Sequence, residues 1–445
     1  MKYTLEARVT KETLERHTAI FGASGGGKSV LLSNMALSVI RSTATSKGSV
    51  VIIEPHSSIA PLLMTARALD TDRLVYISTE IQKEAQWNGN KITPGFNPFQ
   101  LPKDADESFK NLLAAQLAHT IAEMVDTGQY GITINMHMLL LPAILVALSS
   151  DNPCMNTLKR VLENTDENLQ QIGFNYPHPQ IADFFRNHFG NKDYDITRRA
   201  LISKINYILN DMALYDILNS DGIDIEDCLN SGKVLIINTP TGENPFVASI
   251  LPRLMIAYIF SLVLRRSEEQ RKVPVYMFVD ELNSYANSSS LVEALHQARK
   301  FGLRLIISGQ TCKGLPQPMK VALMTNTYMK LVTISDAETR TLLSKEMGVS
   351  ADELSSLEPL MFMLSRNDGK TKPIRIKATI LSKQLFLTKK ERVERLRYLI
   401  QNSGVYKEVP PPPASSPYQP PVKESKKKGN NNDDKPFHGL KPSFT

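Results

Sequence analysis

Short β-branched and apolar runs alternate with helical patterns along most of this chain, an arrangement that predicts a parallel sheet in an α/β fold. The runs that predict strands are 18–21, 50–54, 74–78, 234–238, 275–280, 303–308 and 330–334, followed by 361–365 and 374–380. Between about residues 97 and 232 the strand signal stops. Apolar positions there recur at helical spacing, as in 109–124, 136–148 and 196–209. An α/β sheet interrupted by an all-α insertion is therefore expected, and no internal repeat is visible.

The last forty or so residues have a different pattern. From Val405 onward the chain carries nine of its 26 prolines and a run of three lysines, Lys426 to Lys428. Such a composition cannot bury a core and predicts a disordered, Pro-rich and basic tail. The tail reads either as a solvated spacer or as a docking peptide for a protein partner. The expected organisation is thus a first part of the core at 1–96, an all-α insertion at 97–232, and a second part of the core at 233–387. A basic helix at 388–404 and the tail at 405–445 complete it.

The two longest apolar runs, 138–148 and 254–264, are each about half the ~20 residues that a bilayer span needs. They predict buried helices and no intrinsic membrane span. The first seventeen residues carry charges throughout and offer no apolar stretch of the signal-peptide kind. Cys154, Cys228 and Cys312 lie far apart, which excludes a disulfide scaffold and fits a reducing compartment, so a cytoplasmic location is expected.

Composition adds less than it first suggests. The 445 residues are 42% hydrophobic and 22% charged, ordinary values for a globular protein, and the formal net charge is +7. Residues 405–445 hold seven Lys/Arg against four Asp/Glu, and residues 388–398 hold five against two. The first 387 residues therefore carry 40 basic and 39 acidic side chains, close to neutrality. Net charge permits nucleic-acid binding without arguing for it.

The chemistry is concentrated in a few places. Residues Gly22, Ala23, Ser24, Gly25, Gly26, Gly27, Lys28 and Ser29 form a complete G-x-x-x-x-G-K-S sequence between an apolar strand and an amphipathic helix. Glycines let backbone N–H groups curl round phosphate oxygens, and the helix N-terminus adds its dipole. Lys28 is expected to neutralise the β- and γ-phosphates of ATP, and Ser29 to ligate Mg²⁺. A second apolar strand ends in Asp280 and Glu281. Asp280 is expected to hold the Mg²⁺ through water and Glu281 to act as general base on the attacking water. The next strand ends in Gly309–Gln310, and Gln310 is placed to sense the γ-phosphate. Between these strands, Arg299 closes a helix that stops at Gly302. It reads either as a complement to the helix dipole or as an arginine finger directed at a neighbouring subunit.

Six segments, HTAIFGASGGGKS, VVIIEPHSSI, GFNPF, KVLIINTP, YMFVDELNSY and QARKFGLRLIISGQT, together resemble the FtsK–HerA superfamily of P-loop motors. The resemblance covers about residues 17–380 and is nearest to HerA-like and type IV coupling ATPases of the TraG/TraD kind. It implies a RecA-like core, a hexameric ring, and ATP-driven movement of DNA through its channel. It also implies an intersubunit arginine at Arg299, a glutamine sensor at Gln310 and an all-α insertion. Two departures stand out. The family often reads Asp-Pro-His/Lys-Gly where this chain has Glu54-Pro55-His56-Ser57, and Ser57 is expected to make that loop less permissive. Because the phosphate loop begins at Gly22, neither the membrane anchor of coupling proteins nor the small barrel of repair-type HerA proteins is expected before it.

The leading expectation is an ATP-hydrolysing DNA translocase in conjugative transfer or in mobile-element or genome packaging. The alternatives are a type IV secretion ATPase that moves protein, whose membrane recruitment would depend on partners, and a non-hydrolysing nucleotide-gated adaptor.

Overall fold

The computed structural model describes residues 16–124 and 133–409. The strands, in chain order, are β1 (Thr18–Phe21), β2 (Ser49–Glu54), β3 (Leu74–Ser78), β4 (Ile92–Pro94), β5 (Val234–Asn238) and β6 (Val275–Val279). They continue with β7 (Leu303–Gly309), β8 (Met329–Val332), β9 (Met361–Arg366), β10 (Ile374–Lys377) and β11 (Tyr406–Glu408). Nine of them form one sheet in the order β10-β9-β8-β1-β7-β6-β2-β5-β3. From β8 to β3 every neighbouring pair is parallel, while β9 and β10 extend the β8 edge as antiparallel strands. All residues of β1, β2, β3, β5, β6 and β8 are buried, so both faces of the sheet are covered.

Strand order decides where chemistry can gather. The four central strands β1, β7, β6 and β2 lie side by side, and their C-terminal ends are in register. Phe21 pairs with Gly309, Val279 with Ile307, and Ile53 with Val279. The residues that follow these ends therefore emerge together along one rim, the usual place for a ligand crevice in an open α/β sheet.

The stretch between β4 and β5 is helical among the described residues, from Glu107–Met124 to Ile225–Asn230. These helices share the apolar core with the sheet. Helix Glu107–Met124 packs against helix Pro245–Leu264, and Gln116 accepts from Ser290 at 2.6 Å and donates to Glu293 at 2.8 Å. The apolar run at 254–264 is the C-terminal half of that 20-residue helix. Asn244 caps it, accepting from Phe246 and Val247 N–H at 3.1 Å, and Pro245 takes the first-turn position where its missing N–H costs nothing. By length and composition it is the one helix among the described residues that could cross a membrane, yet 83% of its apolar window is buried inside the protein.

One expected boundary is corrected. The ordered chain does not stop at Val405, because β11 pairs antiparallel with β4 and Val405 and Tyr406 are buried. The Tyr406 hydroxyl donates to Tyr76 carbonyl at 2.8 Å and accepts from Ser78 N–H at 3.2 Å. Two apolar residues that reach a sheet edge outweigh the Pro-rich composition that follows them. Residues 410–445, which hold the Pro tract and the lysine run, lie outside the described residues.

The basic helix forms at Lys389–Asn402, opened by a capping box of Thr388 and Glu391. Part of its charge is used internally. Arg395 donates to Met64 carbonyl at 3.0 Å and Arg397 to Ala85 carbonyl at 3.1 Å, so these arginines fasten the helix to the C-terminal ends of the short helices Ala60–Leu63 and Ile81–Glu84.

Candidate functional site

The glycine loop runs from Gly22 to Gly27 between β1 and helix Lys28–Ser46. Gly25 and Gly27 have φ of +80° and +99°, the left-handed region that only glycine occupies without strain. Close packing explains the other glycines. A Cβ on Gly22 would meet Thr333 Cγ2 at 2.2 Å, and one on Gly26 would meet the same methyl at 2.8 Å. The loop is held from outside by Ala23 N–H to Ile334 carbonyl at 2.6 Å and Leu360 N–H to Gly26 carbonyl at 3.0 Å. No side chain caps the helix that follows, so its first N–H groups face the loop as donors. Lys28 Nζ donates to Gly22 carbonyl at 2.5 Å and Ala23 carbonyl at 3.3 Å. Burial lowers its pKa, and the charges of Glu281 and Asp280 oppose that shift, so the acidic pair acts electrostatically on the lysine.

Asp280 and Glu281 lie just past the end of β6, both buried. The register puts Asp280 level with Ser308, whose hydroxyl donates to Asp280 Oδ1. Burial pushes the Asp280 pKa up against the hydrogen bonds from Ser308 and Glu281 N–H. Its neighbour goes the other way. Burial also opposes ionisation of Glu281, but hydrogen bonds from His56 and Gln310 and the charges of His56 and Lys28 outweigh it and lower the pKa. Glu281 has φ +59°, a left-handed backbone that is uncommon for a non-glycine residue and turns the chain sharply at this point.

Gln310 follows the end of β7. Its side-chain Nε2 donates to Glu281 Oε2 at 2.9 Å, and its N–H donates to Asn283 Oδ1 at 3.2 Å. Next to it, Thr311 donates to Asp336 at 2.7 Å, which fixes the loop beyond the strand.

At the end of β2, Glu54 is fully buried and accepts N–H bonds from His56, Ser58, Ile59 and Ala60 at 2.8–3.2 Å. It clamps the turn that carries His56. Ser57 takes φ +54° where the family pattern has glycine, and its hydroxyl donates to Asn238 at 2.9 Å. The strain that serine was expected to introduce is present and is held by that bond. His56 Nε2 lies 3.5 Å from Glu281 Oε2.

The fold thus brings together Gly22 to Ser29, Asp280, Glu281 and Gln310. It does not bring Arg299 to them. Arg299 is exposed in a short 3-10 turn, Ala298–Phe301, before the N-terminal end of β7. Because β7 runs parallel to β1, that is the opposite end of the sheet from this chain's own glycine loop. There Arg299 lines a cavity of about 210 Å³ with Arg16, His17, His296 and Tyr328. Sequence reasoning gave no role to Asn283, Ser308 and Thr333, and it weighed the 54–57 turn only for its departure from the family pattern and its missing glycine. Each acts by packing or hydrogen bonding across strands, which local spacing does not reveal.

The residues present fit a nucleotide and its Mg²⁺. The loop is a cradle that side chains would fill, its helix N-terminus is uncapped, and a lysine, a serine and a buried carboxylate border it.

Comparison with known proteins agrees with this fold. The chain superposes on the bacterial conjugative coupling protein TrwB in its unbound form with a TM-score of 0.59 at 18% identity, covering 85% of this chain and 89% of that one. TrwB in complex with ADP and Mg²⁺ gives 0.60 at 17% identity, covering 85% and 89%. VirB4 of Thermoanaerobacter pseudethanolicus gives 0.53 at 14% identity, covering 83% and 90%. In sequence, the chain is 25% identical over 377 residues to the DNA double-strand break repair helicase HerA of Sulfurisphaera tokodaii, a match that covers 78% of this chain. It spans 62% of the length of that relative. A family model for the central domain of the helicase HerA matches residues 4–254. The chain therefore belongs to the HerA central-domain family, within the FtsK–HerA superfamily of P-loop proteins, and has its α/β fold.

Proposed function

We propose that this protein is an ATPase that couples hydrolysis of ATP, to ADP and phosphate, to the movement of DNA. The observation that carries the hydrolytic part is the Glu281 carboxylate. It is buried, held ionised, and bonded to Gln310, on the same rim as the glycine loop. In this reading the loop N–H groups and Lys28 bind the phosphates, and Lys28 exchanges its contacts with Gly22 and Ala23 carbonyls for phosphate oxygens. Ser29 and Asp280 hold the Mg²⁺, which neutralises charge on the phosphate oxygens when bound. Glu281 accepts a proton from the attacking water, and Gln310, already bonded to Glu281, links the base to the state of the γ-phosphate.

Arg299 acts on a neighbouring subunit's nucleotide in this proposal, since it stands at the far end of its own sheet. That requires a homo-oligomer, with a hexameric ring as the arrangement proposed. Residues 1–96 and 233–387 form the motor core, and the all-α block at 97–232 is carried as an insertion. DNA as the moved substrate is supported by family membership and by the DNA-repair helicase that the chain resembles. The near-neutral body requires that a few focused basic residues grip it. Conjugative transfer or packaging is the setting proposed.

The test of hydrolysis is Glu281→Gln. Turnover of Mg·ATP should fall by about 10²–10⁴-fold, the usual contribution of a general base, with ATP binding retained. Unchanged turnover in that variant would remove Glu281 from the chemistry.

A further inference from the structure

The turn after β2 is fixed more firmly than a surface connection needs to be. Glu54 accepts four backbone N–H bonds from it, and Ser57 is held at φ +54° by its bond to Asn238. These constraints act on His56, the residue of the turn that faces Glu281. A second element secures the ring. Thr241, just past the end of β5, gives its N–H to Pro55 carbonyl at 2.8 Å and its hydroxyl to the same carbonyl at 3.1 Å. A hydroxyl has one hydrogen, so with that hydrogen on Pro55 the Thr241 oxygen faces His56 Nδ1, 3.3 Å away, as an acceptor. Nδ1 then carries its hydrogen. On the other side Nε2 faces the Glu281 carboxylate at 3.5 Å, another acceptor. A ring with an acceptor at each nitrogen is satisfied only as the imidazolium.

We infer that His56 is a positioning residue for Glu281, a cation anchored by Thr241 and the Glu54-clamped turn that holds one oxygen of the base from the side opposite Gln310's strand. The inference rests on the hydrolytic reading of Glu281. Both contacts, from His56 on the β2 side and from Gln310 on the β7 side, converge on Oε2, so the carboxylate is gripped at one oxygen from two flanking strands. The charged groups around His56 are Glu281 and Asp280 beyond β6 and Glu54 on its own turn, all acidic, and they raise its pKa, the Glu281 hydrogen bond most. No cation is needed there to build the turn, because Glu54 already does that through backbone N–H groups. His56 therefore serves the neighbouring base, and the partners of its ring among the described residues are Thr241 and Glu281.

The experiment measures steady-state ATP turnover and the Kd of a non-hydrolysable ATP analogue in the full chain and in His56→Ala and His56→Gln. The His56 side chain is 43% exposed, so both variants should fold. We expect His56→Ala to lower kcat by about tenfold or more while Kd stays within about twofold, the signature of a lost positioning contact. His56→Gln, which keeps a donor toward Glu281, should recover to within about threefold of the unsubstituted chain. Turnover in His56→Ala within about twofold of the unsubstituted chain would overturn the inference alone, as would a parallel loss of Kd and kcat or a Gln variant as slow as the Ala variant. Absence of turnover in the unsubstituted chain would overturn the hydrolytic reading, and this inference with it.

Discussion

Gln310 Nε2 donates to Glu281 Oε2 at 2.9 Å across the two adjacent strands β7 and β6. In the proposed mechanism the bond ties the phosphate sensor to the general base. It follows that Gln310→Ala should lower ATP turnover by about tenfold or more while leaving nucleotide affinity nearly unchanged. Turnover kinetics beside an equilibrium binding measurement check this, and equal losses in both would assign Gln310 to binding.

The glycine cradle makes a sharper steric prediction. A methyl group at Gly22 would sit 2.2 Å from Thr333 Cγ2, so Gly22→Ala must displace the loop or β8's continuation. Overpacking of this kind costs about 1–3 kcal/mol and should also weaken ATP binding. Thr333→Ser removes the clashing methyl, and the double variant should recover part of both losses in a double-mutant cycle. Additive losses would show that the clash is not the cause.

His17 predicts a pH dependence of stability. Its Nδ1 accepts from Leu305 N–H at 3.0 Å, and burial, helped by the charges of Arg304 and Arg299, lowers its pKa to about 3. The folded pKa lies below the unfolded value, so the stability contribution is complete above pH 6.5 and is lost as pH falls from 6.5 toward 3. Between pH 6.5 and 5 the loss is on the order of 2 kcal/mol. Asparagine can accept the same backbone bond without titrating. Denaturant melts of the unsubstituted chain should therefore drop more steeply with acid than those of His17→Asn, and identical pH profiles would contradict the assignment.

Arg299 calls for a mixing experiment, since it lies at the opposite end of the sheet from its own glycine loop. Arg299→Ala and Lys28→Ala should each be inactive alone. Mixed, they should regain part of the activity, because some interfaces then pair an intact loop with an intact arginine. Failure of every ratio to restore turnover would argue against action between subunits.

Much of this molecule could be read from local pattern. The apolar runs ending at Phe21, Val279 and Gly309 carry their strand signal within a few residues, and the loop chemistry follows each in sequence. What was not legible depends on contacts between distant segments. Strands β4 and β11 are three residues each, too short for periodicity, and exist because Ile92–Pro94 and Tyr406–Glu408 meet in space. The bonds from Arg395 and Arg397 of the basic helix to the buried carbonyls of Met64 and Ala85 span more than 300 residues of sequence, beyond the reach of any local pattern. The pairing of His56 with Glu281 joins the ends of β2 and β6, which only the strand order brings side by side.

The most direct test of the central claim is the rate of Mg·ATP hydrolysis by the full chain, measured with and without single- and double-stranded DNA. A DNA-moving ATPase predicts turnover that DNA stimulates severalfold and that falls again as salt releases the DNA. ATP turnover indifferent to both forms of DNA at low salt would contradict it.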